Sequence, residues 1–539
     1  MGCSPRRDAG INLESQADRR FFRRRTSFPA QAICEHSRAS RPCQPHESTR
    51  PMPTSQNPTA ATRPNVVIIQ TDEQVWNFLG CMGNREVKTP CLDRLAATGM
   101  RFQHSYACSG VCVPSRACFH TGRYPIAHGV TCNNHSLSPR ELTMGKIFAN
   151  AGYRTGYFGK THFGRPDQAM PEDGWQRTFL WHQQYNDYLH GHGVTTSYPE
   201  HKEIKHPEMR YWDVGRSRIP YEHYFEKVIT DHAVDFIREQ NAAPFLCYVS
   251  HIAPHGPFTP PAPYDRLYNP EELSLEQYPD TCLLNKPETF RRWVEQNRKY
   301  INNRELRIYL AHIYGLISLV DTQAGRILDA LQKQGLLDQT MIIFTSDHGD
   351  FCSDYGIIGK SWSMDDRLLR TPLLVAGPEV APGTVSNALV ENVDVLPTIL
   401  DFCSLDIPRQ VQGRSFLPTL RDHTKTHKEN VFAYNLFHDH QHTVSRAAIV
   451  RGRWKWVESS DSAGELYDLE QDPKERTNLA AQAKYRPLID DCRSELLRWH
   501  VRCAGQGLDE QDRFNTWEYQ TNFYDETKFP TPRPANNPF

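Results

Sequence analysis

The sequence predicts an α/β fold, a large sheet sandwiched by helices with a smaller α+β unit at the C-terminal end. Three observations predict it. Short β-branched runs without polar alternation, such as Val66-Val67-Ile68-Ile69, suit strands buried on both faces. They alternate with stretches of helical period, the longest from Glu305 to Gln334, and such alternation makes an α/β core. Past Leu420 the alternation stops, and shorter strand-like segments take over.

Residues 1–64 are rich in Arg, Ser and Pro and lack hydrophobic periodicity. They bury too little apolar surface to offset the entropy of ordering, so disorder is expected there. Order begins at Asn65 with the first strand, which ends at Thr71-Asp72-Glu73. A helix over Cys91–Thr98 follows, with Pro90 at its entry and Gly99 at its stop. Another runs from about Glu141 to Asn150. Tyr221–Gln240 reads as helix, Pro244–Ser250 as strand, Glu305–Gln334 as the long core helix and Met341–Thr345 as strand.

Trp175–Pro220 and Asn269–Arg304 interrupt this rhythm. Both are polar and aromatic, and they read as surface excursions; the first is either a binding wall or an insertion packed on the surface. A polar linker, Arg421–Asn430, leads to segments Ala447–Val450, Trp454–Val457 and Glu465–Asp468, read as strands, and to a helix over Lys484–His500. The expected organisation is therefore a catalytic α/β domain over 65–420, a small α+β domain over 431–503 and a tail over 504–539.

At 539 residues, with 38% hydrophobic and 23% charged residues, the chain has the composition of a globular protein. The net charge of −1 gives no field to attract nucleic acid or an anionic bilayer. The balance is uneven: residues 1–64 carry eleven Arg and five acidic residues, a charge of +6, leaving −7 on the remainder. No window of 18 apolar residues exists, and nothing resembles a secretory apolar region, so neither membrane span nor export is expected. Fifteen cysteines without CxxC pairs suggest reduced thiols and a cytoplasmic setting.

The most informative stretch is Cys112-Val113-Pro114-Ser115-Arg116, followed by Thr121-Gly122. It resembles the signature C-x-P-S-R-x-x-x-x-T-G of the type I sulfatases, in the alkaline-phosphatase-like superfamily, at every defined position. The likeness extends from Asn65 to about Asn478 and implies a large mixed sheet. It implies that Cys112 is oxidised to formylglycine by a formylglycine-generating enzyme, and that the hydrated aldehyde attacks a small-molecule or saccharide sulfate ester. A serine would be left carrying a sulfate that water must displace, whereas a geminal diol has a second hydroxyl whose deprotonation expels sulfate.

A sulfuryl group and its nucleophile need a hard cation. Asp72 ends one strand and Asp347-His348 follows another, where open α/β sheets place ligands. The resemblance implies one divalent metal held by Asp72, Cys112, Asp347 and His348, calcium first, with manganese or another transition ion admitted by the imidazole; the carboxylate of Glu73, longer than aspartate, either joins them in altered geometry or misses the site. Asp350 is read as a turn cap. Many sulfatases have Asp-Asp where this chain has Asp72-Glu73, and phosphonate-ester hydrolases of the superfamily also depart there. Arg116, Lys160, His162, His255 and Lys360 match the family's anion-binding and proton-transfer positions. By family roles, Arg116 and Lys160 hold the nucleophile, His162 takes its proton, and His255 and Lys360 serve the sulfate and the leaving group.

Two other readings stand beside sulfate hydrolysis. One is phosphonate or phosphate ester hydrolysis on the same scaffold. The other is an unmodified, non-catalytic anion-binding protein whose Cys112 remains a thiol.

Overall fold

The run Asn65–Asp72 (β1) has no outward face: all eight residues are buried. In the computed structural model, which describes residues 63–164, 167–194, 202–204, 213–239, 243–438 and 443–505, β1 is central to an eight-stranded sheet. The expected disorder of residues 1–64 and the tail over 504–539 fall almost wholly outside the described residues. The other strands are β2 (Met100–Tyr106), β3 (Arg154–Gly159), β4 (Arg177–Leu180), β7 (Phe245–Pro254), β8 (Thr340–Ser346), β9 (Leu373–Ala376) and β10 (Thr384–Glu391). Their order is β10-β2-β9-β8-β1-β7-β3-β4, and β5 (Lys202–Ile204) pairs separately with β6 (Val214–Gly215).

Strand alternation makes β1 apolar on two sides. Val67 and Ile69 face one core with Leu92, Val228, Ile229, Ile313 and Leu316, from the helices Pro90–Thr98, Phe225–Arg238 and Asn303–Lys333. Val66 and Ile68 face the other with Val113, Phe119, Phe148 and Leu396, from the helices Cys112–Thr121, Met144–Asn150 and Val395–Phe402. The long helix starts at a capping box, Asn302 accepting from the Glu305 N–H while Glu305 accepts from that of Asn302. β9 runs antiparallel to β8 and β2, so the sheet is mixed.

β1 is parallel to β7 and β8, and β3 to β7. Their C-terminal ends therefore share one edge. That edge carries Asp72, the residues after Gly159, those after Pro254 and those after Ser346.

The excursion Trp175–Pro220 is partly a piece of the sheet. Trp175 is buried against Tyr157, Tyr248 and His120, and Arg177–Leu180 is an edge strand. Tyr211 and Trp212 lie outside the described residues. Within Asn269–Arg304, a helix over Glu288–Asn297 packs Phe290 and Val294 on Phe351 and Tyr355.

C-terminal to the large sheet, β11 (Asn430–His438), β12 (Thr443–Arg451), β13 (Trp454–Ser459) and β14 (Glu465–Asp468) form an antiparallel sheet in sequence order. The helix Arg486–Gly505 packs Ile489, Leu496 and Trp499 on Trp456 and Phe432, and this cluster extends to Cys118 and Tyr124. A buried ion network ties the same sheet to the segment after Lys360. Lys455, with no exposed side-chain surface, lies 2.7 Å from Glu475 and 3.1 Å from Asp366, whose N–H donates to Glu475. The twelve cysteines among the described residues are free thiols, and no described helix is long and apolar enough to cross a membrane.

Candidate active site

Cys112 is the first residue of a ten-residue helix whose every side chain is buried. The side chain of Asn133 accepts the Val113 N–H at 3.0 Å, satisfying one of the orphan donors of that turn. Cys112 Sγ is thus held at the positive end of the helix dipole, where a thiolate is favoured. Around it lie Lys360 Nζ at 3.0 Å, His348 Nε2 at 3.2 Å and Asp72 Oδ1 at 3.7 Å, and His162 also hydrogen-bonds to it. Burial and the Asp72 charge oppose ionisation of this thiol, but Lys160, Lys360 and His348 together hold its pKa well below the usual thiol value.

Arg116, one helical turn on, is fully buried and organises the carboxylates. Nη2 donates to Asp72 Oδ2 at 2.7 Å and Nε to Asp347 Oδ2 at 2.9 Å. Nη1 donates to Gln70, Ser250 and the Lys160 carbonyl. Lys160 Nζ adds a second cation 2.7 Å from Asp72 Oδ2. Burial disfavours the Asp72 anion, yet Lys160 and Arg116 outweigh it and hold the carboxyl well below the carboxylate range. Asp347 behaves oppositely: burial and the neighbouring Asp72 charge push it up to about 6, against His348 and Arg116.

That asymmetry tests whether a cation fits. Asp72, Cys112, Asp347 and His348 present ligand-competent atoms all within 4.8 Å of one another. Two carboxylates, an imidazole nitrogen and the side chain at position 112 make a donor set that a divalent ion takes, and the raised pKa of Asp347 marks a carboxylate whose charge its cationic neighbours leave under-compensated. His348 Nδ1 donates to the Gly349 carbonyl at 2.8 Å, which turns Nε2 towards the cluster, the arrangement a ligating imidazole needs. Burial works against its protonation, but the Asp347 charge raises its pKa to about 9. The residues fit. Excess calcium or manganese added to chelator-stripped protein should stabilise it, by about 2.7 kcal/mol at a hundredfold excess over Kd. Melting curves with and without Asp347→Asn check this, and equal shifts in both proteins would disprove the site.

Glu73 stands apart from those four. Its carboxylate pairs with Lys360 Nζ and lies 3.5 Å from His255 Nε2, and its ligand-competent atom groups only with those of Asp72 and His255. Asp350 accepts the N–H groups of Cys352 and Gly359, as a turn cap does. His255 Nδ1 donates to the Gly256 carbonyl, and the residue is half-buried, as is Lys360. His162 is also half-buried, with its Nδ1 unpartnered, and burial with the Lys160 charge lowers its pKa. All the side chains picked out from the sequence therefore converge on one edge of the sheet.

Two polar neighbours of Arg116 were not anticipated. Gln70 was detectable as the polar residue in an apolar buried run, whereas Ser250 carried no local signal. Gly159 fixes the path of the Lys160–His162 segment. Its φ of 125° is closed to other residues, and a Cβ there would stand 1.9 Å from the Ser250 carbonyl oxygen. Gly159→Ala should cost about 3 kcal/mol from strain and overpacking. It should also displace Lys160 and His162, so activity measured below the melting range should fall too; loss of stability alone would disprove the placement.

The sulfatase family matches residues 64–404, well over half of the chain. The chain belongs to that family. It is a sulfuric ester hydrolase of alkaline-phosphatase-like fold, a family whose chemistry uses a divalent metal and formylglycine. The C-terminal region of N-sulphoglucosamine sulphohydrolase matches residues 353–502 of this sulfatase. Among its relatives, the uncharacterized sulfatase YidJ of Escherichia coli is 30% identical, covering 81% of this chain and 86% of the relative. An arylsulfatase of Clostridium perfringens is 29% identical, covering 81% and 94%. The phosphonate monoester hydrolase of Agrobacterium radiobacter superposes with a TM-score of 0.72 at 25% identity, covering 82% and 96%.

Proposed function

We propose that this sulfatase hydrolyses a small-molecule or saccharide sulfate monoester at a formylglycine made from Cys112, within a metal centre held by Asp72, Asp347 and His348. The observation that carries this reading is the convergence of Lys360, His348, Asp72 and His162 on one sulfur at the head of a buried helix. Formylglycine would supply a geminal diol, able both to attack sulfur and to release the sulfate it acquires. The cation would neutralise sulfuryl oxygens and acidify the hydroxyl.

The chain's own residues divide the remaining work. Lys160 and Lys360 bring positive charge to the anionic ester, and Arg116 keeps the carboxylates in register beneath it. His162, neutral because burial and Lys160 lower its pKa, takes a proton from the hydroxyl at position 112. His255, half-buried beside Glu73, gives a proton to the departing alcohol oxygen. His255→Ala should lower kcat by about 10²–10⁴ for poor leaving groups and far less for good ones; equal losses across an aryl sulfate series would refute that role.

The modification is tested by the mass of the tryptic peptide from Phe102 to Arg116, taken from the native host. An aldehyde at position 112 is expected once Cys108 is accounted for. A thiol in fully active protein would overturn the mechanism, and a thiol in inert protein would leave the anion-binding reading. A formylglycine-generating enzyme is the maturation partner this requires. The free thiols among the described residues favour a cytoplasmic setting.

A second reading, phosphonate or phosphate monoester hydrolysis, is favoured by the likeness to a phosphonate monoester hydrolase and by Glu73. Relative kcat/KM for aryl sulfate, phosphate and phosphonate esters separates the two, and sulfate is expected to be fastest.

A further inference from the structure

We propose that Glu73 is a positioning residue that holds Lys360 and His255 against the nucleophile, and not a ligand of the metal. The proposal rests on the reading above. Lys360 and His255 both face Glu73 Oε1, and Lys360 Nζ is in turn 3.0 Å from Cys112 Sγ. Glu73 is therefore linked to position 112 through the ammonium.

Three observations separate Glu73 from the metal centre. Its carboxylate is outside the group formed by Asp72, Cys112, Asp347 and His348. Its backbone, at a φ of 64°, leaves the extended conformation of β1 immediately after Asp72, and its N–H donates to Asp347 Oδ1 at 3.2 Å. Neighbouring residues of one strand end thus contribute differently, Asp72 a carboxylate to the cluster and Glu73 a backbone N–H. Finally, the Glu73 oxygen that faces Asp72 and His255 is already engaged, because Lys360 Nζ and His255 Nε2 both stand on Oε1.

The extra methylene of glutamate over aspartate gives the reach to Lys360. Conversion of Cys112 to a neutral aldehyde removes the sulfur that Lys360 Nζ contacts at 3.0 Å, which leaves Glu73 as the carboxylate in direct contact with the ammonium.

The test uses the full chain. Metal content and calcium and manganese affinity are measured by titration calorimetry for wild type, Glu73→Gln and Asp347→Asn. Aryl sulfate kinetics are measured for Glu73→Gln, Lys360→Met and the double variant. Glu73→Gln should bind one divalent ion per chain within about threefold of wild type, while Asp347→Asn should lose it. Glu73→Gln should also lose about 10–100-fold in kcat/KM, with the greater loss on poor leaving groups, and the double variant should be no worse than Lys360→Met. Should Glu73→Gln fold poorly, Glu73→Asp keeps the charge but shortens the reach, and should lose activity with unchanged cation affinity. The assignment is overturned if either Glu73 variant loses the ion as Asp347→Asn does, or if the losses at Glu73 and Lys360 multiply. Wild type that binds no ion sinks both this proposal and the metal centre it rests on, whereas an ion bound by wild type and lost from Glu73→Gln sinks only the assignment.

Discussion

Cys112→Ser protein should release at most one equivalent of phenol per chain from an aryl sulfate and then stop. The serine hydroxyl would stand at the same helix head, between Lys360 and His348 and near Asp72, so the pocket that receives the sulfuryl group is unchanged. What is lost is the second hydroxyl on the same carbon, and with it the route that expels sulfate without a second attack on sulfur. Steady turnover should be lost after that first equivalent, because each chain is left carrying its sulfate. Intact-mass analysis should find the added sulfate on the peptide containing position 112. Multiple turnovers by the Ser variant at the wild-type rate would refute the geminal-diol route.

Arg116→Met should be the most destabilising single change at the centre. The guanidinium is completely buried and is shared by Asp72, Asp347, Gln70, Ser250 and a main-chain carbonyl. Removing it leaves Asp347 without its guanidinium partner and Asp72 with Lys160 alone, a defect that costs about 3–5 kcal/mol. The loss should depend on conditions. In chelator the full penalty should appear, because no divalent ion is there to replace the guanidinium. In excess divalent ion the same carboxylates gain a partner, and part of the penalty should be recovered. Melting curves of wild type and variant in chelator and in calcium test this; an identical difference under both conditions would mean that Asp72 and Asp347 do not hold the ion.

The core was legible where the sequence committed a whole segment to one environment. β1, β8 and the long helix are continuous apolar or periodic runs, and each appears within a few residues of its expected limits. Where neighbours decide, local pattern failed. β2, Met-Arg-Phe-Gln-His-Ser-Tyr, mixes polar residues into a strand stabilised by pairing with β9 and β10, which are themselves distant in sequence. The short edge strand β4 and the first strand of the small sheet, β11, went unrecognised for the same reason. Tyr221–Gln240 was anticipated as one helix, but a break at Tyr224 splits it into a short 3₁₀ turn and the helix proper.

The site divides along the same line. A contiguous motif revealed Cys112 and Arg116, and strand ends revealed Asp72 and Asp347. The pairings came only from the fold, because Arg116 meets Asp347 across 231 positions and Glu73 meets Lys360 across 287. No window along the chain contains both partners, so the linear pattern could suggest that Glu73 is a ligand but could not show it turned towards an ammonium.

Only 1% of Cys112 reaches solvent, and its helix is enclosed by the sheet on one side and by later-made segments on the other. On the reading proposed above, a macromolecular catalyst that oxidises this thiol would reach it before the chain has closed. The timetable of synthesis then matters as much as the chemistry: a host that folds this polypeptide faster than it can be modified would accumulate a soundly built molecule that is permanently idle. Slower production, or more of the modifying catalyst, should raise the active fraction without altering stability.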